Sequence, residues 1–176
     1  MKQRLFDIVI IGAGVIGHSI AFRLKQCRPD ISLAVLGDPM NSLMASRAAA
    51  GMLAPFGECD EANRFFKFCR ESLLQYPDFI EDLICTSGVP VHLSMKGSLI
   101  PSSSFVNGWE KQIRFFREEN VPHQIWSPER CRQLAPVLAE SCGEVIWVGE
   151  GQVNNREMHD ALVTASRKLG VEILEK

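Results

Sequence analysis

Three glycines, Gly12, Gly14 and Gly17, stand between an apolar run at residues 5–11 and an amphipathic stretch that begins at Val15. A glycine turn that opens a helix can cradle phosphate. The first N–H groups of a helix have no partner within it, and the positive end of its dipole faces an anion. The first glycine permits the tight turn and the second lets backbone approach a pyrophosphate. The third lets the helix pack closely on the strand before it. The chemistry is dinucleotide binding, and the motif by itself leaves flavin and nicotinamide forms open. A glycine-rich turn without ligand is the plain alternative.

Such a cradle needs a βαβ unit, and the flanking residues supply one. Residues 5–11 read as a strand buried on both faces. Residues 15–27 repeat Ile16, Ile20 and Leu24 at helical spacing, Pro29 and Asp30 turn the chain, and residues 31–36 form a second buried strand. A helix over residues 156–169, closed by Gly170, leads to a third strand at 171–175 in the same parallel sheet. Left without a neighbour, that third strand would expose Val171 and Ile173. A dinucleotide unit commonly ends its second strand with an acid that grips a ribose. Here that place holds Gly37, and Asp38 comes one residue later. The expectation is loose nucleotide binding, tightened by Gly37→Glu and weakened by Asp38→Ala.

Between these elements the pattern changes. Residues 37–60 carry loop signals around "ASRAAAGMLAP". Residues 61–87 read as a long helix or helix pair, with Phe65, Phe66, Phe68, Leu73 and Leu74 inward and Pro77 starting a new helix. Residues 91–100 alternate as a half-buried strand, and residues 105–120 form a helix with Trp109, Ile113 and Phe116 on one face. "HQIWS" is a strand, and Ser127-Pro128 caps and opens a helix. Residues 143–153 give two strands about a Gly-Glu-Gly turn. The fold class is therefore α/β: a Rossmann-like parallel sheet with a βαβ start, and an interwoven, partly antiparallel α+β portion. Residues 1–60 and 154–176 make the nucleotide-binding portion, and residues 61–153 the other.

Composition narrows the partners. A formal net charge of −2 and a sequence pI near 6.1 give no basic surface for nucleic acid or anionic membrane. No apolar segment is long enough to span a bilayer, and Asp7 and the glycines break the imitation of a signal peptide. The cysteines at 27, 59, 69, 85, 131 and 142 form no CxxC pair, and the four histidines are far apart in sequence. The expectation is reduced thiols, no metal and a cytoplasmic protein.

"DIVIIGAGVIGHSIA" followed by "SRAAAGMLAPFGECDE" resembles the glycine oxidases of thiamine biosynthesis, in the D-amino-acid oxidase family of flavoproteins. The likeness continues through "FFKFCRESL" and "SGVPV" to "GQVNNREMHDALVTASRKLGVEI". It implies FAD as cofactor, with Gly12, Gly14, Val15, Ile16 and Gly17 along its pyrophosphate. It places Ser46, Arg47, Ala48 and Ala49 along the cofactor and Gly51 and Met52 at the isoalloxazine ring. Asp38 is the remaining candidate for the ribose. The resemblance names no catalytic residue in this chain. Its relatives run to about twice this length, and their second half supplies the Arg that clamps the substrate carboxylate. The implied reaction is oxidative deamination of glycine or a similar small amino acid by O2. The alternative is a non-catalytic or split subunit, inactive alone. Association with itself or with a second chain is expected in either case.

Overall fold

The computed structural model describes residues 4–41, 43–105, 108–138 and 143–175. Cys142 lies outside them. The chain forms two compact units: Met1–Gly51, Pro77–Leu93 and Val153–Lys176 make the first, and Met52–Tyr76 with Ser94–Gln152 the second.

The first unit opens with β1 (Ile8–Ile11), α1 (Val15–Cys27) and β2 (Leu33–Leu36), followed by the short α2 (Ala45–Ala48). It closes with α7 (Asn155–Lys168) and β9 (Glu172–Leu174). The sheet has the order β1-β2-β9 and is parallel throughout, as expected. Its core gathers Ala13, Ala21, Leu33, Val35 and Val171, with Ile8, Ile10, Leu24 and Ile31 packed against them.

Two expectations fail here. Strand β1 is not buried on both faces: Val9 is half exposed and Ile11 is 84% exposed, because β1 is an edge of this sheet. Strand β9 hides what was expected to lie open, since Val171 is buried and Ile173 half-buried. In α1, Ile16 and Ile20 face outward, while Gly17, His18, Ala21, Phe22 and Lys25 are buried. Gly17 faces Gly12 and Ile10 and Ala21 enters the sheet core, while His18 meets α7 at Ser166.

The second unit holds β3 (Met52–Leu53), α3 (Pro55–Glu58), β5 (Ser98–Pro101), α5 (Trp109–Glu118), β6 (His123–Trp126), α6 (Pro128–Leu134), β7 (Val145–Val148) and β8 (Gly151–Val153). The strand β4 (Leu93–Ser94) is shorter than the alternating pattern suggested. β5-β7-β6 form an antiparallel sheet, and β3 pairs antiparallel with β8. The two strands about Gly149-Glu150-Gly151 therefore serve different sheets. The aromatic core comprises Phe56, Phe66, Phe115 and Phe116 with Leu73, Ile113, Val121, Ile146 and Val148. Ser127 caps α6 as its sequence predicts, its hydroxyl accepting from the Arg130 N–H at 3.3 Å.

Helix α4 (Arg64–Ser87) runs unbroken through Pro77, where a new helix was expected. Phe66, Leu73, Ile80 and Leu83 are buried at spacings that keep one stripe of a single helix. That stripe offsets the hydrogen bond that proline removes. Phe65, Phe68 and Leu74 lie outward, not inward. Phe65 points away from the side of α4 that buries Phe66. The half of α4 beyond Pro77 packs in the first unit, where Phe79 meets Phe22 edge-on and Asp82 pairs with Arg23 at 2.8 Å.

Candidate functional site in the first unit

The loop from β1 to α1 brings Gly12, Gly14, Val15, Ile16 and Gly17 together. Gly12 has φ +113°, a conformation L side chains rarely adopt, so it makes the turn. Gly17 is needed for space: a Cβ there would lie 2.0 Å from the Gly12 carbonyl oxygen. Gly14 is the N-cap of α1, with no capping side chain of its own and no acid in the first turn. The start of the helix is therefore electropositive and uncompensated by any carboxylate of its own.

Ser46, from α2, reaches this turn. Its Oγ accepts from the Val15 N–H at 3.0 Å, and a Cβ on Gly14 would sit 2.9 Å from it. Its hydroxyl proton remains to be donated. Helix α2 is bolted to the start of α7: Asn155 Nδ2 donates to Ser46 O at 2.6 Å, and Arg156 Nε donates to Arg47 O at 3.2 Å. Arg47 is no loose surface cation. Its guanidinium pairs with Asp160 and donates to His159 Nδ1 at 3.5 Å. Asn154 caps α7, accepting from the Arg156 and Glu157 N–H groups.

Ala48 and Ala49 are exposed at the end of α2. Gly51 has φ +77° and lies against Val153 of the same unit: a Cβ there would meet Val153 O at 1.9 Å. Met52 belongs to the second unit, where it borders a cavity of about 250 Å³ with Phe65, Phe68, Cys59, Cys69 and Tyr76. Asp38 is exposed, and its Oδ1 accepts from the Met40 N–H at 2.7 Å in a local turn.

Gly37 is more than a missing acid. It has φ +143°, and a Cβ there would lie 3.0 Å from Ala13 N, against the glycine turn itself. Its N–H donates to Leu174 O at 3.0 Å. A glutamate at 37 would strain the backbone and crowd the turn, which argues against a gain from Gly37→Glu.

Sequence reasoning missed two buried histidines. His18 and His159, far apart in the chain, stand edge to face with ring centroids 5.9 Å apart. His18 Nδ1 bonds Ser166 Oγ at 3.0 Å, and burial, with His159 and Arg167 nearby, lowers its pKa to about 4. His159 Nε2 lies 2.9 Å from Ala13 O. Nothing local in "REMHDAL" announces a contact made 146 residues away. Among the described residues no cluster of three or more His, Cys, Asp or Glu is arranged for a metal ion.

An uncapped helix start behind a glycine turn suits a dinucleotide, and the comparisons name the flavin kind. The sequence profile of the FAD dependent oxidoreductase family matches residues 7–176. This chain belongs to that family. FAD is the family's cofactor, and the cradle fits its pyrophosphate. The chain is 37% identical over 176 residues to a glycine oxidase of Bacillus subtilis, covering 98% of this chain and 46% of that one. It is 31% identical over 175 residues to the bifunctional protein ThiO/ThiG of Synechocystis, covering 98% of this chain and 25% of that protein. The crystal structure of glycine oxidase from Geobacillus kaustophilus superposes with a TM-score of 0.86 at 26% identity, over 97% of this chain and 46% of that one. The chain thus spans less than half the length of these relatives.

Proposed function

We propose that this chain is the FAD-holding part of an amino-acid oxidase that acts on glycine or a similar small amino acid. The observation that carries the reading is the uncapped start of α1 behind Gly12 and Gly14, within a chain of the FAD dependent oxidoreductase family. Gly14 and Ile16 present N–H groups to the pyrophosphate, the Val15 N–H is held by Ser46 Oγ, and the Ser46 hydroxyl donates to one of its oxygens. Asp160, through Arg47, keeps α2 in place. Flavin held by these residues would supply the two-electron oxidant for the substrate, with O2 as final acceptor. The overall balance is amino acid, O2 and water to 2-oxo acid, ammonia and H2O2, with the imine as a possible feed for thiazole synthesis in thiamine assembly. This chain's residues bind and orient the cofactor. The substrate clamp belongs to the part of the relatives that the chain does not span.

A second reading, a cofactor-binding or split subunit without activity of its own, is favoured by that same partial coverage. It predicts a partner, and β1 offers a place: Val9 and Ile11 with Ile16 form an exposed apolar strip beside an open strand edge. Free thiols at the described cysteines agree with a cytoplasmic location. The test is peroxide formation from glycine, sarcosine and D-proline, by the chain alone and when co-expressed with the remaining half of a glycine oxidase. Peroxide only in the combined sample supports the split reading. Absence of flavin from both samples contradicts both readings.

A further inference from the structure

We propose that His159 is a positioning residue for the dinucleotide turn, an inference that rests on the cofactor reading above. Its ring is fully buried. A carbonyl oxygen only accepts, so Nε2 carries the proton given to Ala13 O at 2.9 Å. A guanidinium only donates, so Nδ1, 3.5 Å from Arg47 Nη1, offers its lone pair. Both contacts select one neutral tautomer.

The consequence falls on the next peptide. The Ala13–Gly14 unit is planar and trans, so its C=O and N–H point opposite ways. Tying the oxygen to α7 aims the Gly14 N–H out of the packed α1–α7 interface. Glycines on either side of Ala13 leave that peptide free to rotate in an unrestrained chain. His159 removes this freedom before a ligand arrives, which lowers the cost of binding. The same ring steadies Arg47, next to the Ser46 that engages Val15. One side chain of α7 thus holds both walls of the cradle. The side chain of His18, its neighbour, bonds Ser166 through Nδ1 and leaves Nε2 without a partner among the described residues, so it makes no bond to the turn. It is the internal control.

The experiment titrates FAD into the full chain, followed by flavin fluorescence, with ADP and adenosine as competitors. His159→Leu should weaken FAD and ADP about tenfold, the loss of one buried hydrogen bond, and leave adenosine unchanged because it has no pyrophosphate. His159→Gln, whose amide nitrogen takes the place of Nε2, should restore parental affinity. His18→Gln should leave the ratio of ADP to adenosine affinity unaltered. Should His159→Leu fail to fold, His159→Asn, too short to reach Ala13 O, takes its place with the same expected loss. Equal weakening of ADP and adenosine, or no rescue by Gln, would overturn the positioning role. If the parent chain binds FAD and the variants match it, only this inference fails. If the parent binds none, the cofactor reading fails with it.

Discussion

Helices α1 and α3 begin alike, each with N–H groups that the helix cannot satisfy, and the chain treats them in opposite ways. At α3 the charge comes from within. Glu150, 1% exposed, accepts from the Phe56 and Gly57 N–H groups, both at 3.2 Å. Gln112 holds the same segment by its carbonyls, donating to Phe56 O at 3.2 Å and Cys59 O at 2.8 Å. At α1 the only side-chain acceptor among the described residues is the neutral Ser46 hydroxyl, and no acid stands in the first turn. A helix start already answered by a buried carboxylate is architecture. One held rigid by neutral groups, with its dipole uncompensated, suits an external anion.

The hardest break in this comparison is Gly17→Val. Its Cβ would overlap the Gly12 carbonyl, and the backbone has no room to yield. We expect a loss of about 4 kcal/mol in urea denaturation, together with FAD binding. A stable variant would show that the turn is looser than described.

Acid separates the two units next. His18 has its pKa lowered from 6.5 to about 4, so the unfolded chain binds the proton first. Its contribution to stability is full above about pH 6.5 and is lost as pH falls through about 4. The total approaches about 3 kcal/mol. Glu150 has the opposite sign. Burial raises its pKa, outweighing the bonds from Gly57, Ser98 and Phe56, so its contribution is present below the unfolded value and is lost as pH rises through the folded one. Urea melts across pH should flatten on the acid side in His18→Gln and shift the other way in Glu150→Gln. Identical profiles in the two variants would refute this division.

Glu150→Ala should cost about 2 kcal/mol, since it strands two backbone donors, and should loosen the segment that borders the second unit's cavity. Faster reaction of Cys59 with a thiol reagent reports that loosening. Unchanged reactivity would mean that Gln112 alone suffices.

Much of the first unit was legible because its signals are local. Three glycines and two Val- and Ile-rich runs fix a turn and two strands, and Gly170 closes the helix before the third. What could not be read depended on distant partners. Ile16 and Ile20 fit a helical apolar stripe, yet the side of Gly17 and Ala21 is the one that packs on the strand and the sheet core. Pro77 carries a stop signal that the buried stripe of α4 overrides. Gly37 looked like a lost acid because its positive φ and its contact with Ala13 emerge only once β2 lies beside the turn. His159 and Glu150 gave no signal, since a lone histidine or glutamate acquires meaning from what it is folded against.

Gly37→Glu is the smallest of these effects and sharpens the point. Strain at positive φ, about 1 to 2 kcal/mol, should weaken FAD binding where an intact family pattern would have strengthened it. Flavin titration of parent and variant decides the sign, and tighter binding would restore the carboxylate argument.

The central claim is that the start of α1 is reserved for the pyrophosphate of FAD. Titration of the full chain with FAD, followed by displacement with ADP and then with adenosine, tests it most directly. The account predicts saturable binding at one site, reversed by ADP far more effectively than by adenosine, and abolished in Gly14→Val. Absence of saturable binding, or equal displacement by the two competitors, would contradict it.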